Sequence, residues 1–161
     1  KKIIEIEEMS DENRTFSVGV ITGGQWVNCV SSSCDAEVIS MAKKQKNLDE
    51  GVATILAMNK KNSEIKFSVE QSVVRPVWEP NNGTKKLFDL TQEICQELQL
   101  PFSHGSMGGG SDGNFSGALN IPTVDGLGTL GENYHTLKEH IYIDSIEKRA
   151  NVIANIVSNL K

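Results

Sequence analysis

The sequence predicts an α+β chain in two parts, and three observations lead there. Ile65, Phe67, Val69, Gln71 and Val73 alternate with Lys66, Ser68, Glu70 and Ser72, the period-two pattern of a half-buried strand. Ile146, Ala150, Ile153, Ala154, Val157 and Leu160 recur at helical spacing and predict a long amphipathic helix with that face inward. Between them, Arg75-Pro76-Val77-Trp78-Glu79-Pro80-Asn81-Asn82-Gly83 holds two prolines and an Asn-Gly pair that break regular structure. The chain therefore divides into 1-77 and 78-161.

In the first part, residues 1 to 9 read as the tail of a helix, and Ser10-Asp11-Glu12-Asn13 as a turn. Phe16, Val18 and Val20 then alternate as a strand that Gly23-Gly24 ends. A second alternating run, Ser33 to Met41, sets Cys34, Ala36 and Val38 against Asp35, Glu37 and Ile39. Asn47 and Asp49 offer caps to a short helix carrying Leu48, Val52, Ile55 and Leu56. With the strand at 65–73, the order helix, strand, strand, helix, strand suits an open antiparallel sheet with helices on one face.

In the second part, Leu87, Leu90, Ile94 and Leu98 mark a helix that stops before Pro101. Ser111 or Asp112 caps a short helix, Ile121 to Val124 is a strand candidate, and Asp144 with Glu147 forms a capping-box pattern for the last helix.

The formal net charge of −5 is spread without a basic stripe, which argues against nucleic acid as a partner. No apolar run approaches the roughly 20 residues that span a bilayer, so a membrane is not expected either and a cytoplasmic address follows by default. Cys29, Cys34 and Cys95 make an odd count that favours free thiols over a disulfide framework. Lys1 opens directly onto Ile3, Ile4 and Ile6 without a cap, as if a helix were entered midway, and an amino-terminal truncation is inferred.

Two stretches could carry chemistry. Gly105 to Phe115, rich in glycine, places backbone amides ahead of a helix amino terminus, an arrangement for an anionic ligand such as a carboxylate; a plain connector is the competing reading. His135 follows Gly126 to Tyr134, with Glu139 four residues on. A metal ligand with a carboxylate behind it is one reading, a surface histidine the other. His104 and His140 read as structural or surface residues.

In order and spacing, Gly108 to Phe115, the Asp125-Gly126-Leu127-Gly128 turn and Tyr134-His135-Thr136-x-x-Glu139 resemble the end of metallopeptidase family 20, the group of glutamate carboxypeptidase, acetylornithine deacetylase and succinyl-diaminopimelate desuccinylase. Arg75-Pro76 and Asn28 to Val38 resemble that family's inserted lid. The resemblance implies a remnant of a ferredoxin-like lid and dimerisation domain at 1-77, then the C-terminal part of an α/β zinc-exopeptidase catalytic domain at 78-161.

It further implies His135 as a zinc ligand, Glu139 behind it, and Asn28, Gly109, Gly110, Ser111 and Asp112 as substrate contacts. Two zinc ions are expected in the parent protein, where a metal-held hydroxide attacks an amide carbonyl with a glutamate as base. The substrate would be a small molecule or peptide with a free carboxylate, and the assembly a homodimer through the lid. This chain alone would hydrolyse nothing, since the base and the other ligands are not in it.

There are departures. Met41 stands where the family often has an arginine that grips a carboxylate, and Ser31 where a proline is usual. Met41 favours the alternative of a non-catalytic dimerisation or binding module.

Overall fold

The computed structural model describes residues 1–59 and 66–160. Its elements are α1 (Lys2–Glu7), β1 (Arg14–Gly23), β2 (Cys34–Ala42), α2 (Gln45–Leu56), α3 (Asn82–Glu97), α4 (Gly113–Ala118), β3 (Gly131–Glu132), β4 (His140–Ile141) and α5 (Asp144–Asn159). The mixture of helices with two small antiparallel sheets, β1-β2 and β3-β4, is α and β as expected. The chain divides into two compact units, Lys1–Val77 with Ser106–Gly110, and Trp78–Gly105 with Ser111–Lys161.

In the first unit, Asp11 forms the turn into β1. Its Oδ1 accepts the N–H groups of Asn13 at 2.7 Å and Arg14 at 2.8 Å, and Oδ2 accepts the Arg14 guanidinium at 3.1 Å. The Asn13 N–H, then the Arg14 guanidinium, hold this carboxyl below the usual carboxylate range. β1 pairs with β2 from Arg14↔Ala42 to Gly23↔Cys34, with a bulge between Val18 and Val20. The simple alternation expected of Phe16, Val18 and Val20 fails there. The extra residue, Gly19, shifts the strand's parity, so Val20 faces with Glu37 whereas Val18 faces with Val38.

Among the described residues, Phe16, Ile6 and Leu48 are the buried apolar side chains of this unit. Helix α2 meets the hairpin at Gly51, where a Cβ would lie 2.7 Å from Ser40 Oγ and 3.5 Å from the Phe16 ring, so a side chain there would require the Ser40 hydroxyl to turn aside. The helix begins at Gln45 after Lys44, which gives no side-chain cap, and not at Asn47 or Asp49. Asp49 is engaged instead within the first turns, accepting from Gln45 Nε2 at 2.7 Å.

The strand expected at 65–73 is corrected. Ile65 lies outside the described residues, Lys66 holds an isolated bridge, and Phe67 to Val73 join no ladder among the described residues. Burial still alternates, with Phe67 and Val69 half-buried between exposed neighbours. Alternation supplies the side-chain pattern of a strand, but a ladder also needs a hydrogen-bonded neighbour.

In the second unit, α3 starts inside the stretch read as a breaker, at Asn82-Gly83. Asn81 makes this possible: its Oδ1 accepts the Thr84 N–H at 2.8 Å and its Nδ2 donates to Asn120 O at 2.8 Å. Asn81→Ala is expected to lower stability by about 1 kcal/mol, read as a shift of the urea midpoint at unchanged slope.

The core joins α3 to α5 through Ile94, Cys95, Val152 and Ile156, flanked by Leu87, Leu90, Leu100, Phe102 and Leu127. Helix α5 is thus turned from the expected face: Ser145, Val152 and Ile156 are buried, whereas Ile146, Ile153, Val157 and Leu160 are exposed. Polar fasteners on the buried side fix this choice, Ser145 Oγ accepting the Leu130 N–H at 2.9 Å and Arg149 donating to the carbonyls of Gly128 and Gly126 at 2.8 and 2.7 Å. The capping box does not form; Ile143 is the N-cap and has no side-chain cap bond, and Asp144 pairs with Lys148 at 3.7 Å.

Ile121 to Val124 makes no strand, because side-chain hydroxyls hold it in place of a neighbouring strand: Thr123 N–H donates to Thr84 Oγ1 at 3.4 Å and its hydroxyl to Ser116 Oγ at 2.9 Å. All three cysteines are free. Among the described residues no helix is long and apolar enough to cross a membrane.

Candidate functional site

The strongest local geometry lies in the second unit, in the β3-β4 hairpin. Gly131 pairs with Ile141 and Glu132 with His140. Gly131 is required here, since a Cβ would fall 2.6 Å from the His140 carbonyl oxygen. Within the connecting turn, Asn133 and His135 both take left-handed backbone, φ 60 and 64. Asparagine tolerates this region; histidine does so at a cost of order 1–3 kcal/mol that neighbours must offset.

Glu139 Oε2 accepts the His135 N–H at 3.0 Å, Asn133 O accepts from Thr136 N at 3.2 Å and from Thr136 Oγ1 at 2.7 Å, and Thr136 Oγ1 accepts the Lys138 N–H at 3.2 Å. Glu139 therefore fixes the backbone on which His135 stands. Arg149 and Ser145 of α5 tie down the segment leading into β3, through the Gly126, Gly128 and Leu130 contacts described above. Tyr142, just past β4, donates to the Glu132 carboxylate, which pushes its phenol up from the ordinary value, and its ring meets His140 edge-on at 5.3 Å.

Asn133, Ser145 and Arg149 are not singled out by the sequence, and Thr136 enters there only as part of the Tyr134-His135-Thr136 motif. Asn133 alone carried a signal, the left-handed tolerance of asparagine in a short turn.

His135 and Glu139 are both exposed. Ser111 is half-buried and Asp112 exposed in this same unit, whereas Gly109 and Gly110 are exposed residues of the first unit. The amides expected to await an anion are partly committed already: Ser111 N–H donates to Asn114 Oδ1 at 2.8 Å and Gly113 N–H to Ser111 Oγ at 3.2 Å. Asn28 is exposed in the first unit, in the turn closed by Cys29 N–H donating to Trp26 O at 3.2 Å. His104 packs edge-on against Phe88 at 5.0 Å, and His140 Nδ1 contacts Lys138 O at 2.8 Å, as befits structural histidines.

No group of three His, Cys, Asp or Glu side chains able to hold a metal ion exists among the described residues. Zinc sites take three or four protein ligands, so the described residues do not by themselves fit the ion that the resemblance implies.

The model of the family described as peptidase family M20/M25/M40 matches residues 2–159. Peptidase T of Shouchella clausii is 29% identical over 102 residues, which are 63% of this chain and 25% of that protein. Succinyl-diaminopimelate desuccinylase of Aliarcobacter butzleri is 24% identical over 110 residues, 68% of this chain and 29% of that protein. Among solved structures, aminopeptidase PepT from Bacillus cereus is similar in fold, with a TM-score of 0.63 at 23% identity over 91% of this chain and 40% of that one. The chain thus spans well under half the length of these relatives.

Proposed function

Since the chain belongs to peptidase family M20/M25/M40, we propose that it supplies His135 as one ligand of a metal centre whose other donors lie elsewhere in the whole protein. That protein is a zinc-dependent hydrolase of an amide or peptide bond next to a carboxylate, an exopeptidase or N-deacylase with two zinc ions. Residues 1-77 act as its lid and dimerisation domain and 78-161 as the closing segment of its catalytic domain. Asn28, Gly109, Gly110, Ser111 and Asp112 contact substrate, and Glu139 holds the ligand's backbone.

One observation carries this reading: an exposed histidine kept on left-handed backbone by a carboxylate four residues on. Backbone strain that the surroundings over-determine is a mark of functional positions. Relatives named a peptidase and a desuccinylase support hydrolysis as the reaction class. The test is the zinc content of the purified whole protein, expected to exceed one tightly bound ion per chain, with hydrolysis of amino-acid amides that a chelator abolishes.

A second reading, a non-catalytic dimerisation or binding module, is favoured by Met41. It is half-buried in β2 opposite Thr15, and a thioether has no charge with which to grip a carboxylate. Less than one bound zinc and no hydrolysis would decide for this module.

A further inference from the structure

The loop from β1 to β2 carries two exposed free thiols, Cys29 and Cys34, five positions apart. We propose that they form a reversible intramolecular disulfide, which makes this loop a site of exchange with low-molecular-weight disulfides such as oxidised glutathione.

The loop is folded back on itself. Gly23 pairs with Cys34 at its base, Gly24 N–H donates to Ser31 Oγ at 2.9 Å, Ser31 Oγ donates on to the Ser33 carbonyl, and Cys29 N–H donates to Trp26 O. The entropic cost of closing a loop grows with its length, and the segment between the two sulfurs is short, with three serines in it. A disulfide needs its Cα atoms within about 7 Å, which so short a segment can reach by local rearrangement.

Neither thiol is strongly held elsewhere. Cys29 Sγ lies 3.8 Å from Asn28 Oδ1 and Cys34 Sγ 3.9 Å from Asp35 O, and a thiol is a weak donor. Cys95 is fully buried in the other unit and serves as the unreactive control.

In the first step the Cys29 thiolate attacks one sulfur of oxidised glutathione and expels a glutathione thiolate, leaving a mixed disulfide. The Cys34 thiolate then attacks the Cys29 sulfur and expels the second glutathione. Two protein S–H bonds give one S–S bond, their two protons pass to the departing thiolates, and oxidised glutathione is reduced to two thiols. The new bond also removes the contact of Cys29 with Asn28. Only that last consequence rests on Asn28 as a substrate contact; the disulfide stands or falls apart from the hydrolase reading.

Cleavage after Lys and Arg leaves both cysteines on the single peptide Thr15–Lys43, so the experiment is a peptide mass measurement on the whole protein after exposure to oxidised glutathione. The expected result is the loss of two hydrogens from that peptide, loss of alkylation at both positions, and reversal by dithiothreitol, with Cys95 unchanged. Cys29→Ser and Cys34→Ser should each abolish the hydrogen loss and retain one glutathione adduct. Two adducts on the unaltered peptide, cross-linked chains alone, or thiols that stay alkylatable would overturn the proposal.

Discussion

Changing His135 to asparagine in the whole protein is expected to reduce amide hydrolysis by more than about a hundredfold while leaving the melting temperature nearly unchanged. The scale comes from partners one step removed: losing a group that orients a metal-bound histidine costs about 10–100-fold, and losing the donor itself goes further. Asparagine is the informative substitution because it adopts left-handed backbone readily, so the turn between β3 and β4 keeps its shape without an imidazole. Glu139→Ala should act less severely, in the 10–100-fold range, by releasing the N–H that its carboxylate holds at 3.0 Å. Steady-state kinetics with a panel of amino-acid amides, alongside thermal melts, separates these effects. Full activity in the His135→Asn protein would end the assignment of this residue to a metal centre.

The largest effect on stability is expected from Gly117→Ala. On an ordinary exposed helix this exchange gains up to about 1 kcal/mol, because alanine is the better helix former. Here a Cβ would lie 2.1 Å from Trp78 Cδ1 and 2.2 Å from Cγ, far inside contact distance, and the atoms it meets belong to a rigid ring. The indole lies across α4, also within 3.6 Å of where a Cβ on Gly113 would be. Overpacking of this kind costs about 1–3 kcal/mol or more, so the clash outweighs the propensity gain and the sign reverses. Set against the 5–15 kcal/mol that typically holds a domain together, this is a substantial loss. Urea titration should show a lower midpoint, and Trp78→Leu in the same chain should recover much of it, since the two positions are coupled. An unchanged or raised midpoint in the single variant would contradict the contact.

What is legible in the sequence follows from which forces are local. The existence of the hairpin β1-β2 and of the helices α2, α3 and α5 is announced by apolar period, because the period follows the element's own geometry. Their ends and faces are less so. Asn81 caps α3 from within a stretch that composition marks as a breaker, because capping depends on one side chain reaching one amide. Helix α5 has apolar residues on more than one side, and its packed side is chosen by Arg149 and Ser145 meeting carbonyl and amide groups far away in sequence. The segment Phe67 to Val73 has the alternation of a strand without a ladder among the described residues, and pairing is a property of two segments together. At the candidate site, the spacing of His135 and Glu139 leaves a surface histidine open and their expected roles come from the family resemblance, whereas the left-handed turn and its Thr136 and Asn133 bonds are three-dimensional facts.

The bulge at Gly19 has a bearing on how the hairpin tolerates change in length. Because Val18 already sits across from Val38 and Val20 across from Glu37, the glycine is a spacer that no rung of the ladder uses. A natural variant lacking it would keep every cross-strand neighbour and lose only the bend, so the distal loop would point along a straighter ribbon. Loss of one residue from Val20 to Thr22 would also be absorbed, with Gly19 taking up a rung opposite Glu37 and the residues beyond the deletion keeping their partners. Evolution could therefore re-aim the Trp26 to Val30 tip by a single deletion, without disturbing the ladder that carries it.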